Sequence, residues 1–129
     1  MKLAYTIIYV PDVLATLVFF ERALGLRRRF VHESEGYAEL DTGATTLAFA
    51  DASVADEIVA GGCVLAHESE RPLGMEVAFV TEDVAAAYAQ AVAEGALAVS
   101  APVDKPWGQT VAYVRSPEGI LIELCTAVA

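Results

Sequence analysis

Near its C-terminal end the chain reads Trp107-Gly108-Gln109-Thr110-Val111-Ala112-Tyr113-Val114-Arg115-Ser116-Pro117-Glu118-Gly119-Ile120-Leu121-Ile122-Glu123-Leu124. Residues 110–114 are rich in β-branched and aromatic side chains, and a second apolar run begins at Ile120. Between the two runs, Pro117 presets one turn dihedral and Gly119 supplies a positive one. The stretch therefore predicts a β-hairpin.

One carboxylate interrupts the second strand of this hairpin. Residues 120–125 are apolar except for Glu123, and continuous apolar runs are typical of strands in a covered sheet. Burying a carboxylate costs several kcal/mol unless it is paired, hydrogen-bonded, protonated or bound to a metal. Glu123 is therefore the first candidate for a functional residue.

The length and composition indicate a single globular domain over residues 1–129. The chain is 56% hydrophobic and long enough to bury about two thirds of its unfolded surface. No apolar run is long enough to span a bilayer, and Pro11-Asp12 interrupts the opening run too early for a signal peptide. We expect a cytoplasmic protein with no membrane partner.

Charge and cysteine content narrow the expected partners. The net charge of -10 argues against a nucleic-acid partner and favours cationic ligands. The two cysteines, Cys63 and Cys125, have no metal-type or redox-type spacing, which fits a reducing compartment.

The remaining chain reads as the same series of elements twice. Strand 3–10, helix 13–24 and strands 27–33, 36–41 and 45–50 form the first series, and residues 54–60 form a helical turn or two. Strand 75–80, helix 84–94, strand 97–101, loop 102–108 and the hairpin form the second.

These two series align as an internal duplication. Setting Asp12 on Asp83 superimposes strand on strand and helix on helix, and it places Tyr5 on Glu76. Setting Gly43 on Gly119 places Leu47 on Glu123. The sequence therefore predicts an α+β fold of two tandem βαβββ units, about 1–50 and 74–129, joined by a linker at 51–73.

The duplication and the closing hairpin resemble the vicinal-oxygen-chelate superfamily of glyoxalases, bleomycin-resistance proteins and extradiol dioxygenases. The turn Ser116-Pro117-Glu118-Gly119 replaces the Asp-Pro-Asp-Gly usual in that family, and Glu123 matches its last-strand glutamate. The resemblance implies a half-open mixed β-barrel with helices outside, a cavity shared by the strands, and a homodimer.

The family's metal-ligand positions match Tyr5, Leu47, Glu76 and Glu123. This set is poor for a transition metal, because leucine is no ligand, a neutral phenol is a weak one, and neither histidine lies at a ligand position. We therefore expect no cofactor. If a divalent metal binds, Glu76 and Glu123 hold it together with several waters.

The strand period of two selects the predicted wall of the cavity. Trp107, in the loop before the hairpin, is expected to stack on a planar or cationic ligand. The predicted ligand-binding residues are Tyr5, Ile7, Tyr9, Leu47, Phe49, Trp107, Tyr113 and Leu121. Two alternatives stay open: Glu76 points to solvent through the cavity mouth, and Tyr9 and Tyr113 belong to the core.

Three functions compete at this level. The first is metal-free binding of a hydrophobic or cationic small molecule, which the acidic charge and the missing histidines favour. The second is a metal-dependent lyase, isomerase or dioxygenase in which Glu76 and Glu123 are the catalytic residues. The third is a structural or regulatory dimer with a vestigial cavity.

Overall fold

A computed structural model describes residues 1–128, which form two compact units divided between Leu65 and Ala66. The division falls inside the predicted linker, 51–73. Each unit contains one four-stranded sheet in which a parallel pair of strands is joined to antiparallel neighbours. The predicted α+β class with two βαβββ units is confirmed. No helix among the described residues is long and apolar enough to cross a membrane.

Unit 1 holds the first series. Its elements are β1 (Tyr5–Val10), α1 (Val13–Leu24), β2 (Arg28–Val31), β3 (Tyr37–Leu40), β4 (Thr46–Asp51) and α2 (Ala52–Ile58). The strand order is β1-β4-β3-β2, with β1 parallel to β4. The one-residue irregularity in the pairing of β2 with β3 falls at Arg29.

Helix α1 begins and ends where the sequence predicts. The Asp12 side chain accepts a hydrogen bond from the Ala15 N–H, and Gly25 closes the helix in the left-handed region at φ 68°. Phe20 is fully buried on this helix, and its ring lies 5.0 Å from that of Phe49 on β4. The face of the sheet that carries Phe49 is therefore the face that α1 covers.

Unit 2 holds the second series. A short 3-10 turn (Ala66–Glu68) is followed by β5 (Val77–Val80), α3 (Val84–Ala93), β6 (Leu97–Asp104), β7 (Thr110–Arg115) and β8 (Leu121–Cys125). The strand order is β5-β8-β7-β6, with β5 parallel to β8. The predicted hairpin is present, since the Ser116 carbonyl accepts a hydrogen bond from the Gly119 N–H at 2.9 Å.

The core of unit 2 lies on one face of its sheet. Ala112 and Val114 on β7 and Ile122 and Leu124 on β8 are buried to 1% exposure or less. Helix α3 packs against β6, β7 and β8, and its Asp83 N-cap accepts the Ala86 N–H as Asp12 does in unit 1. The opposite face, which carries residues 121 and 123, is the more open one, and we call it the open face of unit 2.

Two predicted features differ from the structure. The loop expected at 102–108 is wrong at its start, because β6 continues through Pro102 to Asp104. Strand β6 forms the edge of its sheet, where a proline removes no internal hydrogen bond. Glu76, expected inside a strand, lies one residue before β5.

The predicted register of the duplication is also wrong in the last strand. Ile7 pairs with Ala48 in unit 1, and Ala78 pairs with Glu123 in unit 2, so the counterpart of Glu123 is Ala48 and not Leu47. The turn glycines misled the alignment, because β4 begins three residues after Gly43 whereas β8 begins two residues after Gly119. A slip of one residue moves a side chain to the other face of a sheet.

The segment that opens unit 2 is fastened to the hairpin by Arg115. Its guanidinium donates to the carbonyls of Ala66 (2.8 Å), Ser69 (2.6 Å) and Glu70 (3.0 Å) and to the turn carbonyl of Gly119 (3.0 Å). Gly119 has φ 89°, and a Cβ atom added there would lie 2.5 Å from the backbone nitrogen of His67. The segment therefore passes directly over the turn glycine.

Candidate functional site

The open face of unit 2 brings two glutamates together. Strand register places Glu123 on β8 between Ala78 of β5 and Tyr113 of β7. Glu76 lies two residues before Ala78, so strand alternation places it on the same face. We call Glu76 and Glu123 the acidic pair.

One member of the acidic pair, Glu123, is hydrogen-bonded to a tyrosine. The Tyr113 hydroxyl donates to Glu123 Oε1 at 3.2 Å, and the carboxyl group of Glu76 lies close enough to Glu123 for their charges to interact. The pair is therefore two interacting carboxyl groups rather than two independent surface charges.

The surroundings disfavour further negative charge. Loss of surrounding water, followed by the hydrogen bond to Glu123 and its charge, raises the pKa of Glu76. Loss of water and the two glutamates likewise raise the pKa values of Tyr113 and Cys125. Within residues 1–128 no lysine or arginine forms a salt bridge with either member of the pair. The charge of this site is left to be balanced by a proton or a cation.

Apolar side chains border the pair. Leu121 is half-buried on β8, Ala78 is exposed on β5, and Val80, further along β5, keeps 68% of its surface exposed. Glu76 is exposed and Glu123 is half-buried. Two acidic groups beside accessible aliphatic surface suit a ligand that has both a charge and a hydrophobic body.

The donors brought together here are two carboxylates and a phenol. They fit a hard cation that keeps several waters better than a transition metal, which favours imidazole or thiolate. In the described part of the chain, no group of three or more histidine, cysteine, aspartate and glutamate side chains is placed to hold a metal ion.

The predicted site residues of unit 1 fall on two different faces of their sheet. Tyr5 (54% exposed), Ile7 (44% exposed) and the half-buried Tyr9 lie on one face of β1. Leu47 and Phe49 lie on the other face, which α1 covers, and both are buried. The expectation that Leu47 and Phe49 share a cavity face with Tyr5 is therefore wrong.

Sequence reasoning missed a polar cluster on the open face of unit 1, which is the face of Tyr5. The Tyr37 hydroxyl donates to Glu39 Oε2 at 2.8 Å, Arg29 Nε lies 3.8 Å from Glu39 Oε1, and Arg29 Nη1 lies 3.4 Å from Thr46 Oγ1. Burial and the Glu39 carboxylate raise the pKa of Tyr37 to about 12. The i, i+2 spacing of Tyr37 and Glu39 on one strand could have predicted that their side chains share a face. The irregularity in strand pairing at Arg29, which brings Arg29 close to Glu39, has no signal in the sequence.

Trp107 lies in the loop between β6 and β7 and is 64% exposed. Its indole N–H donates to Gln109 Oε1 at 2.8 Å, and Gln109 in turn donates to the Thr126 carbonyl at 2.8 Å. These bonds fix the ring at the far end of the hairpin from the turn. Its predicted stacking on a ligand stays a prediction.

Comparison with known proteins points to one superfamily. The sequence model of the Glyoxalase/Bleomycin resistance protein/Dioxygenase superfamily matches residues 2–124, and no curated protein matches the chain. Solved structures share the fold at low identity. A glyoxalase-related enzyme from Fulvimarina pelagi superposes with TM-score 0.82 at 22% identity, covering 98% of this chain and 88% of that one.

Two further structures show the same fold. A family enzyme from Burkholderia phytofirmans PsJN has TM-score 0.81 and 19% identity, with full coverage of both chains at 100%. TioX from Micromonospora sp. ML1 has TM-score 0.71 and 22% identity, covering 98% of each chain.

Proposed function

The chain belongs to the glyoxalase/bleomycin resistance protein/dioxygenase superfamily, and on that premise we propose that it binds a hydrophobic, positively charged small molecule without a metal. The ligand's cationic group meets the acidic pair on the open face of unit 2. Its apolar body lies on the aliphatic surface of Leu121, Ala78 and Val80.

One observation carries this proposal: the acidic pair lies on one face of the sheet beside accessible apolar side chains, and neither glutamate forms a salt bridge within residues 1–128. Two carboxylates in contact repel each other when both are ionised, and a cation relieves that repulsion. The net charge of -10 adds a long-range attraction for cations. Affinity from the apolar surface then depends on the size of the hydrophobic body.

A thermal-shift comparison of benzylamine with benzyl alcohol tests the proposal. The two probes share an aromatic body and differ in charge. We expect benzylamine at millimolar concentration to raise the melting temperature by a few degrees and the alcohol to have little effect. Equal shifts for both probes, or none, would contradict a cation site.

The variant Glu123→Gln locates the site, since it removes the half-buried charge and keeps the size of the side chain. We expect it to lose the benzylamine shift. Glu94→Gln is the matched control, because Glu94 is an exposed acid at the end of α3, the helix that packs on the buried side of the sheet. It should retain the shift.

A divalent-cation enzyme is the second candidate, and the same two carboxylates favour it. Glu76 and Glu123 would hold the ion, and the ion would supply Lewis-acid activation of vicinal substrate oxygens. Titration of the chelator-treated protein with Mg²⁺ and Mn²⁺ distinguishes the candidates. Stoichiometric binding that Glu123→Gln abolishes would favour the enzyme.

A further inference from the structure

We propose that the open face of unit 1 binds a planar aromatic carboxylate. Arg29 holds the carboxylate group, and the ring of Phe30 contacts the aromatic body. This site lies in a different unit from the acidic pair, and its ligand carries the opposite charge. The inference therefore goes beyond the proposed function and does not depend on it.

An irregularity in strand pairing places Arg29 on this face. The pairing of β2 with β3 shifts by one residue between Arg28 and Phe30, so Arg29 is the extra residue. Strict alternation would place Arg29 and Phe30 on opposite faces. Instead Phe30 pairs with Glu39, and Arg29 lies 3.8 Å from the same glutamate, so both side chains share its face. Bulges of this kind re-aim a side chain and are common next to functional sites.

The guanidinium of Arg29 keeps hydrogen-bond donors free for a ligand. Its Nε lies 3.8 Å from Glu39 Oε1, beyond hydrogen-bond distance, and Nη1 donates one long bond of 3.4 Å to Thr46 Oγ1. Within residues 1–128 the Nη2 group donates no hydrogen bond, and the side chain is 56% exposed. Guanidinium donors form a planar fork that matches a carboxylate. The edge formed by Nη1 and Nη2 can therefore hold a carboxylate while Glu39 stays beside Nε.

Two other arginines are much better satisfied. Arg28 donates to the Glu21 carboxylate from Nε at 3.1 Å and from Nη2 at 2.6 Å. Arg115 donates to four backbone carbonyls at 2.6–3.0 Å. Arg29 has no bond as short as any of these, although it lies on a sheet face with an acid and two aromatic rings nearby.

The local charge favours an anion even though the chain as a whole is acidic. Residues 27–29 are three consecutive arginines, and no other two basic residues are adjacent in the sequence. In the described part of the chain, Glu21 and Glu39 are the two acids that form salt bridges with this run, so one positive charge is in excess. Salt screens the more distant acids, whereas a bound carboxylate is in direct contact with Arg29.

Phe30 supplies the surface for the aromatic body. Its side chain is 46% exposed, and its ring lies 6.4 Å from the Tyr37 ring at an angle of 53°. A ligand ring packed on Phe30 removes apolar area of both rings from water. The Cα atoms of Arg29 and Phe30 are neighbours about 3.8 Å apart. A ligand whose charge lies one bond from its ring can therefore reach both side chains.

Benzoate and benzamide test the proposal as a matched pair, since they have nearly the same size and shape and differ in charge. In NMR titrations of the ¹⁵N-labelled protein, we expect millimolar benzoate to shift the amide signals of β2 and β3 and the Nε–H signal of Arg29. Benzamide should bind at least about fivefold more weakly. Acetate, which lacks the ring, should bind at least about tenfold more weakly than benzoate.

The variant Arg29→Met locates the site, and Arg28→Met is its matched control. Both substitutions remove one arginine charge from β2, but the Arg28 guanidinium is already held by Glu21. We expect Arg29→Met to weaken benzoate binding at least about tenfold and Arg28→Met by less than about twofold. Phe30→Leu leaves the charge intact; it should weaken benzoate about threefold and leave acetate unchanged.

The results that would overturn the site are distinct from those of the benzylamine experiment. Equal losses in the two arginine variants would mean that benzoate senses only the local charge. Equal binding of benzoate and benzamide would remove any role for the guanidinium, and no shift with benzoate would refute the site outright. None of these results bears on the acidic pair, because it lies in unit 2.

Discussion

The two units build the same βαβββ frame but arrange charge differently on its open face. Each unit places a tyrosine hydroxyl on a glutamate: Tyr37 on Glu39 at 2.8 Å in unit 1, and Tyr113 on Glu123 at 3.2 Å in unit 2. The first bond joins two residues of one strand, and the second joins neighbouring strands. Strand pairing makes Glu39 the counterpart of Tyr113 and Ala48 the counterpart of Glu123.

The third member of each cluster decides its chemistry. In unit 1 it is Arg29, which lies 3.8 Å from Glu39 and neutralises it. In unit 2 it is Glu76, a second carboxyl group. In unit 1 the negative charge of the cluster is balanced by its own arginine. In unit 2 it must be balanced by a proton or a cation. The duplicated fold therefore sets the positions of the side chains, and the residue at one position determines whether the negative charge of a face is balanced within the cluster.

The turn glycines give the largest expected contrast between the units. Gly43 and Gly119 both have φ 89°, but a Cβ at Gly43 meets nothing within 4 Å, whereas one at Gly119 lies 2.5 Å from backbone of the segment above it. Gly43→Ala should cost about 1–2 kcal/mol of unfolding free energy for the left-handed backbone alone. Gly119→Ala should cost about 3–4 kcal/mol, because backbone must also move.

Urea unfolding of both variants measures the contrast. Since the two glycines share a φ value, the difference between the variants isolates the packing of the segment at 66–67 on the turn. Equal losses of stability would mean that this segment moves aside freely, and the close approach would then contribute nothing to unit 2.

The arginines give the next contrast. Arg115→Met removes a half-buried guanidinium from four backbone carbonyls, and we expect a loss of about 2–3 kcal/mol. Arg28→Met removes the salt bridge between Arg28 Nη2 and Glu21 Oε1, which is short at 2.6 Å. The Arg28 side chain is, however, 44% exposed. Exposed ion pairs contribute less than about 1 kcal/mol. Thermal unfolding in low and high salt should show a salt-sensitive loss only for Arg28→Met.

Much of the frame could be predicted because it depends on local chemistry. The caps at Asp12, Asp83 and Gly25 and the hairpin turn follow from residues whose backbone preferences need no tertiary information. The joint placement of Glu76 and Glu123 was implied by the family resemblance, which matches both residues to ligand positions of one cavity.

What could not be predicted depends on register and on contacts between distant residues. The offset between Gly43 and Gly119 within their turns moved Leu47 and Phe49 to the wrong face, because strand pairing is set by the whole sheet and not by one turn residue. The approach of Arg29 to Glu39 required the irregularity between β2 and β3, for which the sequence carries no distinct signal. The carbonyl partners of Arg115 at residues 66, 69 and 70 could not be predicted either, because they lie far from it in the sequence.

Substituting one glutamate of each cluster gives the smallest effects, but they have opposite signs. The pKa of Glu76 is raised in the folded protein, so its favourable contribution is complete below the unfolded pKa and is lost as pH rises through the folded value. Glu76→Gln should therefore gain stability relative to wild type between about pH 4 and pH 8. Solvent screening of the exposed carboxyl keeps the gain below about 1 kcal/mol.

Glu39→Gln should instead lose stability at neutral pH, because the amide can still accept the Tyr37 hydroxyl but no longer attracts Arg29. The expected loss is below about 1 kcal/mol, since the Arg29 side chain is 56% exposed. Urea unfolding of both variants at pH 4 and pH 8 measures the two signs together. If Glu76→Gln destabilised the protein as much as Glu39→Gln at pH 8, the acidic pair would be held by favourable contacts. The charge contrast between the units would then fail.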